Sequence, residues 1–303
     1  MRLPLAAMLI GLVLAILDGC GLPEKRAEEG GPGGGPGCYD DDVSPEEPVD
    51  DLEATFESDA WLEIALDLLG RRYPAGRCVV EPQTDDPRLA DWVETGDFVS
   101  FVESLDTLVH EGTHTWQSST GSYEGYQYFV NCDMVITTEW HDSFPRAEIL
   151  SLADWSHTAL YRDYFEGEMG EQGLNVLLDE WNAYTNGFGA SAVFAGEFRG
   201  ADGSGYLTGA VDGPLAFAYF TELYLRVART DHPEEYEFIT GDESFKSVLL
   251  TTWNRMHFFL SLVEGKEWLK VEADEIAKLV YAPENMGELE DALGMTLSKS
   301  NCQ

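Results

Sequence analysis

The sequence predicts an α+β fold that is mainly helical. Apolar residues recur with a period of about 3.6 through most of the chain after residue 145, as in amphipathic helices. Residues 126–140 are instead rich in β-branched and aromatic side chains, which favours strands. The chain has 303 residues and 44% of them are hydrophobic, so it is long and apolar enough for a packed globular body.

The charge balance excludes several classes of partner. The 18 Lys and Arg residues against 56 Asp and Glu residues give a formal net charge of −38. A nucleic-acid-binding protein needs a basic face to neutralise phosphates, and none is present, so we expect no nucleic-acid partner. We expect a soluble surface that repels other copies of itself.

The first twenty residues predict export. Arg2 precedes an apolar stretch at 3–17, which is shorter than the roughly 20 residues of a membrane-spanning helix and is typical of a signal peptide. The sequence Leu17-Asp18-Gly19-Cys20 resembles a bacterial lipobox, although Asp18 departs from the usual small residue. The resemblance implies cleavage after residue 19, lipidation of Cys20, a membrane contact through that lipid, and a location in the bacterial cell envelope. An ordinary cleaved signal is the alternative.

Composition divides the remaining chain into a tether and a body. Residues 20–52 hold a Gly-rich run at 30–37 and acidic residues at 40–42, which predicts a solvated, coil-like tether. Residues 53–303 are expected to form one domain, with an N-terminal part (53–144) and a helical part (145–303). Cys38, Cys78, Cys132 and Cys302 remain after Cys20 is set aside, and in an oxidising compartment they allow three disulfide pairings.

The elements of the body follow in order. Helical periodicity predicts a helix over 56–72, and Asp97 is the expected N-cap of a helix that runs to 116. Residues 126–140 predict two short strands or a hairpin around 131–133. Further helices are predicted over 146–165, 172–186, 214–229, 242–264, 267–280 and 283–293.

Three local features add detail to the predicted helical part. Residues 187–209 are Gly-rich and predict a long loop with a short Ala-rich turn. The segment 215–225 is apolar nearly all round, as in a central buried helix. Thr240-Gly-Asp-Glu243 resembles a capping box.

The predicted helix at 97–116 contains the pattern His110-Glu111-Gly112-Thr113-His114. Residues four apart lie one above the other on a helix, so both imidazoles can bind one metal ion. Glu111 lies beside them, where it can accept a proton from an attacking water. Zinc suits two imidazoles, a third protein ligand and an open fourth position. Gly112 lowers helix propensity, which indicates that another segment approaches closely there.

This motif resembles the active-site helix of the zincin metallopeptidases. The metzincin branch requires further Gly and His positions that here are Gln117 and Thr120, so that branch is excluded. The gluzincin branch takes its third ligand from a glutamate on a later helix, and Glu180 in Leu177–Tyr184 fits that pattern. The resemblance therefore implies a zincin-like fold and a zinc site of His110, His114 and Glu180. His141 is an alternative third ligand, and weaker alternatives are Glu139, His157, Asp163 and Glu166.

The resemblance has two departures. The interval between His114 and Glu180 is longer than in thermolysin-like enzymes, so a substantial insertion must fit between them. Thermolysin-like enzymes also carry an Asp four residues after the glutamate, where this chain has Tyr184. A metal-bound histidine usually donates its other N–H to a carboxylate or carbonyl. The candidates for that partner are Asp106, Asp179 and Asn182. Candidates for stabilising the transition state are Tyr184, His141 and Tyr206.

The function expected from these motifs is zinc-dependent hydrolysis of peptide bonds by an exported, lipid-anchored enzyme. Glu111 would act as general base, and the substrate would be a peptide or protein. One alternative is a non-enzymatic surface lipoprotein with a structural zinc or none, which a closed four-ligand site would favour. Another is a zinc amidase that acts on envelope polymers.

Overall fold

The computed structural model describes residues 40–120, 125–198 and 209–300. In these ranges the protein is mainly helical with one two-stranded sheet, which confirms the predicted α+β, mainly helical class. The helices are α1 (Asp50–Ala54), α2 (Trp61–Arg72), α3 (Pro74–Val80), α4 (Phe98–Thr120), α5 (Trp155–Thr158), α6 (Gly167–Gly170), α7 (Leu174–Val193), α8 (Asp212–Asp231), α9 (Pro233–Gly241), α10 (Glu243–Leu262), α11 (Ala273–Val280) and α12 (Pro283–Leu293). The strands are β1 (Tyr126–Asn131) and β2 (Met134–Thr138).

The segment 40–52 packs against the body, although the sequence predicts part of a solvated tether there. Asp41 is buried, and its carboxylate lies 3.8 Å from the buried guanidinium of Arg255. Val49 is buried as well, and Arg72 Nε donates a hydrogen bond to the Glu47 carbonyl. A buried guanidinium needs a counter-charge, so Asp41 is held inside. Residues 20–39, Cys20 and the predicted signal peptide lie outside the described residues.

Helix α4 forms where the sequence predicts it. The Asp97 side chain accepts a hydrogen bond from the Ser100 backbone N–H at 2.9 Å, which confirms the N-cap. Phe101, Leu105 and Leu108 on one stripe are fully buried. The helix continues four residues beyond its predicted end at Trp116. Its buried stripe fixes which face of α4 is turned towards the rest of the protein.

The predicted hairpin is also present. Strands β1 and β2 pair antiparallel around a turn at Cys132 and Asp133. A disulfide joins Cys132 to Cys78 in α3, so the hairpin is covalently fastened beside the helix that packs on α4. Cys38 and Cys302 lie outside the described residues. The sequence alone left this pairing open.

The prediction of one continuous helix over 146–165 is wrong. The segment forms a 3₁₀ turn at Arg146–Ser151, the short helix α5, and a second 3₁₀ stretch at Ala159–Phe165. Asp154 causes the interruption, because its backbone is extended and its side chain caps the Ser156 N–H at 2.9 Å. Helical periodicity indicates which residues of such a segment are buried, but it does not show where one helical turn ends and the next begins.

The predicted loop at 187–209 is wrong in its first part. Helix α7 continues through two glycines to Val193, and residues 199–208 lie outside the described residues. A Cβ atom added to Gly187 would lie 2.7 Å from Asp106 Oδ1 and 3.2 Å from His110 Cβ. Glycine therefore serves here to bring α7 close to α4 and does not end the helix.

The C-terminal half follows the predicted order of helices with local corrections. Residues 215–225 of α8 are all buried, as expected of a central helix. The capping box at 240–243 is wrong, because Asp242 is the N-cap of α10 and accepts from the Ser244 N–H at 2.7 Å. Thr240 instead donates to the Tyr236 carbonyl within α9, a helix that the sequence analysis missed.

The core is centred on α7 and α8. Helix α7 packs between α4, α8 and α10, while the other side of α8 is covered by α9, α11 and α12. Trp181 and Phe188 of α7 are fully buried in this arrangement. None of the helices in the described ranges combines the length and the hydrophobicity that a membrane crossing requires. The close pairing of α4 with α7 is the contact that builds the site.

Candidate metal centre

Helix α4 presents His110 and His114 one turn apart, as the sequence predicts. Their ring centroids are 4.9 Å apart, and their Nε2 atoms are 3.2 Å apart. Gly112 lies between them on the side where α3 approaches, since a Cβ there would be 3.1 Å from Val79 Cγ1. Gln83 also donates to the Gly112 carbonyl at 2.9 Å. The close approach inferred from Gly112 is therefore present.

Helix α7 brings Glu180 to the same point. Its Oε2 lies 3.4 Å from His114 Nε2 and 3.9 Å from His110 Nε2. Glu180 is only 7% exposed, and Oε2 has no hydrogen-bond partner among the described residues. A carboxylate is costly to bury unless it is paired or bound to a metal. Among the described residues, His110, His114 and Glu180 are the one group of at least three potential ligands that converge.

Two of the three separations between the donor atoms match those between ligands of a tetrahedral zinc ion, and the third is somewhat longer. With zinc–ligand bonds of about 2.0–2.1 Å, two ligands of a tetrahedron are separated by about 3.3 Å. The observed separations are 3.2, 3.4 and 3.9 Å. One position of the tetrahedron is then left for a ligand from outside these three side chains.

Asp179 orients one of the imidazoles. His114 Nδ1 donates to Asp179 Oδ2 at 2.7 Å, which fixes a proton on Nδ1 and turns Nε2 towards His110 and Glu180. Of the three predicted partners, Asp179 therefore takes this role. Asp106 accepts from Ser191 Oγ at 2.7 Å, and Asn182 donates to the Phe129 carbonyl at 3.0 Å, which anchors the hairpin to α7.

Two tyrosines complete the wall beside His110. The Tyr184 ring lies against the His110 ring, with centroids 4.3 Å apart. The Tyr184 hydroxyl is 2.9 Å from the Tyr164 hydroxyl. Tyr184 was among the sequence candidates, whereas Tyr164 was missed. No sequence signal marks Tyr164, because it belongs to a 3₁₀ stretch whose position depends on tertiary packing.

Burial and neighbouring charges shift the pKa values of the side chains at this centre. Burial, together with the charge of His114, lowers the pKa of His110 to about 3. Burial opposes protonation of His114 as well, but Asp179 and Glu180 outweigh it and raise the pKa of that imidazole. Burial raises the pKa of Glu111, and burial likewise raises the pKa of Asp106 to about 6. A metal ion binds neutral imidazoles and ionised carboxylates, so metal binding at this centre would release the additional proton of His114.

The remaining candidates lie elsewhere. His141 stacks on Phe238 and pairs with Glu235 at 2.6 Å, and His157 pairs with Glu272 at 2.7 Å. Neither histidine lies with His110, His114 and Glu180. The same is true of the three weaker candidates, Glu139, Asp163 and Glu166. Tyr206 lies outside the described residues.

Comparisons of this chain with protein-family models, with curated proteins and with solved structures find no match.

Proposed function

We propose that the protein is a zinc-dependent peptidase of the gluzincin type. His110, His114 and Glu180 would hold the ion, and Glu111 would act as general base. The observation that carries the proposal is the convergence of two imidazole nitrogens and one buried carboxylate oxygen, with separations of 3.2–3.9 Å, from two helices 66 residues apart at His114 and Glu180.

The electrostatics of the three donors support a bound cation. The raised pKa of His114 favours a protonated imidazole that faces Glu180, and a bound divalent cation would supply positive charge between the same atoms in place of that proton. Glu180 Oε2 has no hydrogen-bond partner in the described part of the chain. Two nitrogen donors and one oxygen donor suit zinc, whereas calcium and magnesium prefer sets of oxygen ligands.

The chemistry divides between the ion and the side chains. Zinc at such a centre acts as a Lewis acid that polarises a carbonyl and lowers the pKa of water. Glu111 would accept a proton from the attacking water and deliver it to the amine nitrogen as the C–N bond breaks. The Tyr164–Tyr184 hydroxyl pair next to His110 would donate a hydrogen bond to the oxygen that gains negative charge.

An open coordination position favours catalysis over a structural role. A structural zinc usually has four protein ligands, and His141 or His157 would have been the expected fourth. Both are hydrogen-bonded to glutamates outside the centre. Among the described residues three ligands converge, which leaves one position for water or substrate.

We also propose that the enzyme works outside the cytoplasm, held by a lipid on Cys20. The support from the described residues is the Cys78–Cys132 disulfide, because such bonds persist mainly in oxidising compartments.

The test replaces the general base. Glu111→Gln should keep about one zinc per chain and lose hydrolysis of an unstructured protein substrate about 10³-fold, since general-base catalysis contributes roughly 10²–10⁴-fold. Glu237→Gln, an exposed glutamate on α9, is the matched control and should keep full activity. If Glu111→Gln cleaves as fast as the unmodified enzyme, Glu111 is not the base and the proposed mechanism is wrong.

A further inference from the structure

A cleft of about 790 Å³ lies beside the metal centre. It is bounded by the N-terminal half of α4, by the segment 156–161 and by residues 209–212 and 271–272. Its size is in the range of sites that bind small molecules or single side chains of a longer ligand. Of the residues that line this cleft, the mechanism proposed above uses only Tyr184.

The inner end of the cleft adjoins a metal-binding histidine. Tyr184 lines the cleft and also lies against the His110 ring, at 4.3 Å between centroids. Asp106 lines it too and precedes His110 by one turn of α4, about 5–6 Å along the helix axis. A side chain in the cleft would therefore belong to a residue close to the bond under attack.

The lining of the cleft is acidic and lacks a compensating Lys or Arg. Glu94, Glu103, Asp106, Asp212 and Glu272 line it, and the lining contains no Lys or Arg. The single imidazole in the lining, at position 157, is paired with the glutamate at 272. In the described part of the chain, no Lys or Arg forms an ion pair with any of these five carboxylates, whereas many exposed acids of this protein are paired.

The rim of the cleft is apolar. Leu160 is 75% exposed and Val271 is 57% exposed, and both line the opening. The acidic side chains and these two exposed aliphatic side chains line the same concave site. Long cationic side chains bury their methylene stems on apolar surface and place the charged end in a polar environment.

We infer that the cleft binds a lysine or arginine side chain of the substrate, next to the scissile peptide bond. This inference rests on the proposed peptidase function and adds its substrate class, a basic peptide. Leu160 and Val271 contact the aliphatic stem, and Glu94 and Glu103 attract the charged end.

Binding of matched peptides tests the inference independently of turnover. Three fluorescent peptides differ at one residue, which is lysine, the uncharged analogue norleucine, or glutamate. Zinc-loaded Glu111→Gln protein should bind the lysine peptide at least about 10-fold more tightly than the norleucine peptide, as measured by fluorescence anisotropy. The preference should shrink in about 0.5 M salt, because ions screen the attraction.

Variants locate the preference. Glu94→Gln combined with Glu103→Gln should reduce the lysine preference to less than about 3-fold. Glu234→Gln combined with Glu237→Gln removes the same two charges from α9 and should keep the preference. Helix α9 follows the far end of α8, about 30 Å from Asp212 along that helix.

The outcomes separate this inference from the proposed function. Binding without a lysine preference, or a preference that survives the double variant, overturns the inference even if the enzyme cleaves peptides. Selective binding of the lysine peptide without cleavage by the unmodified enzyme would show that the cleft binds a basic side chain, and would overturn the peptidase proposal together with the placement next to a scissile bond.

Discussion

Two buried glutamates on consecutive long helices differ in what surrounds them. Glu180 of α7 is 7% exposed, and Glu222 of α8 is fully buried. Glu180 Oε2 and both carboxylate oxygens of Glu222 have no hydrogen-bond partner among the described residues. By burial and hydrogen bonding alone, either residue would be a candidate for a functional role.

Their neighbours distinguish them. Burial raises the pKa of Glu180, but His114 and His110 outweigh it, so the net shift is downward and the carboxylate form is favoured. Burial raises the pKa of Glu222 well above its usual value, and Arg226 nearby is itself bonded to Glu288. Glu180 is thus a candidate metal ligand because imidazoles from a second helix converge on it, whereas the raised pKa of Glu222 favours its neutral form.

The largest expected effect on stability comes from the disulfide near the Glu180 region. The Cys78–Cys132 disulfide closes a loop with a sequence separation of 54 and ties the hairpin beside α4 and α7. Removing both cysteines, as Cys78→Ser with Cys132→Ser, should lower the free energy of unfolding by about 4 kcal/mol, because the unfolded chain gains entropy. Urea unfolding measures the loss, and a change below about 1 kcal/mol would contradict it.

The next effect concerns the residue that orients His114. Asp179→Asn should weaken zinc binding about 10- to 100-fold, because the imidazole loses the carboxylate that fixes its proton. Asp242→Asn is the matched control, since asparagine is also a good N-cap and α10 should be preserved. Competition with a zinc indicator gives the affinities. Equal affinities for the two variants would show that Asp179 has no such role.

Close packing of α4 on α7 predicts a smaller loss. Gly187→Ala places a methyl group 2.7 Å from Asp106 Oδ1 and should destabilise the protein by about 1–3 kcal/mol. Gly287→Ala on α12 meets no atom within 4 Å and should stabilise the protein by up to about 1 kcal/mol, because alanine favours the helix. Thermal unfolding distinguishes the two, and similar shifts in both variants would rule out the tight contact.

The smallest expected effect is a pH dependence of stability that comes from Glu222, whose pKa is raised, whereas that of Glu180 is lowered. Because the folded-state pKa of Glu222 is raised, the native protein keeps this proton to a higher pH than the unfolded chain does. The stabilisation is complete below about pH 4.5 and is lost as pH rises through the folded pKa. Glu222→Gln stays neutral throughout. The unmodified protein should therefore lose stability relative to Glu222→Gln as the pH rises. The free energy of unfolding of Glu222→Gln, minus that of the unmodified protein, should increase by at least about 1 kcal/mol between pH 5 and pH 8.

Urea unfolding at several pH values measures that difference. A difference that stays constant from pH 5 to pH 8 would mean that Glu222 titrates normally in the folded protein.

Local patterns predicted the parts of the centre that depend on one helix at a time. The spacing of His110 and His114 requires only that residues 110–114 be helical. The position of Glu180 at the edge of an apolar stripe indicated a carboxylate turned towards the core. The Asp97 cap and the hairpin turn at 132–133 are likewise decided by neighbouring residues.

Features that depend on two elements at once could not be predicted. Which of Asp106, Asp179 and Asn182 contacts His114 depends on the rotation of α7 relative to α4. Gly187 suggested a loop, because nothing local shows that another helix occupies the space of its side chain. Tyr164 reaches the centre only because the segment 146–165 is interrupted at Asp154.

The most direct measurement is the zinc content of two matched variants, Glu180→Gln and Glu222→Gln, by mass spectrometry after dialysis against a weak chelator. Each variant replaces one buried carboxylate with an amide of nearly the same shape. The account predicts about one zinc per chain in the unmodified protein and in Glu222→Gln, and much less than one in Glu180→Gln. Equal zinc in the two variants, or none in the unmodified protein, would contradict it.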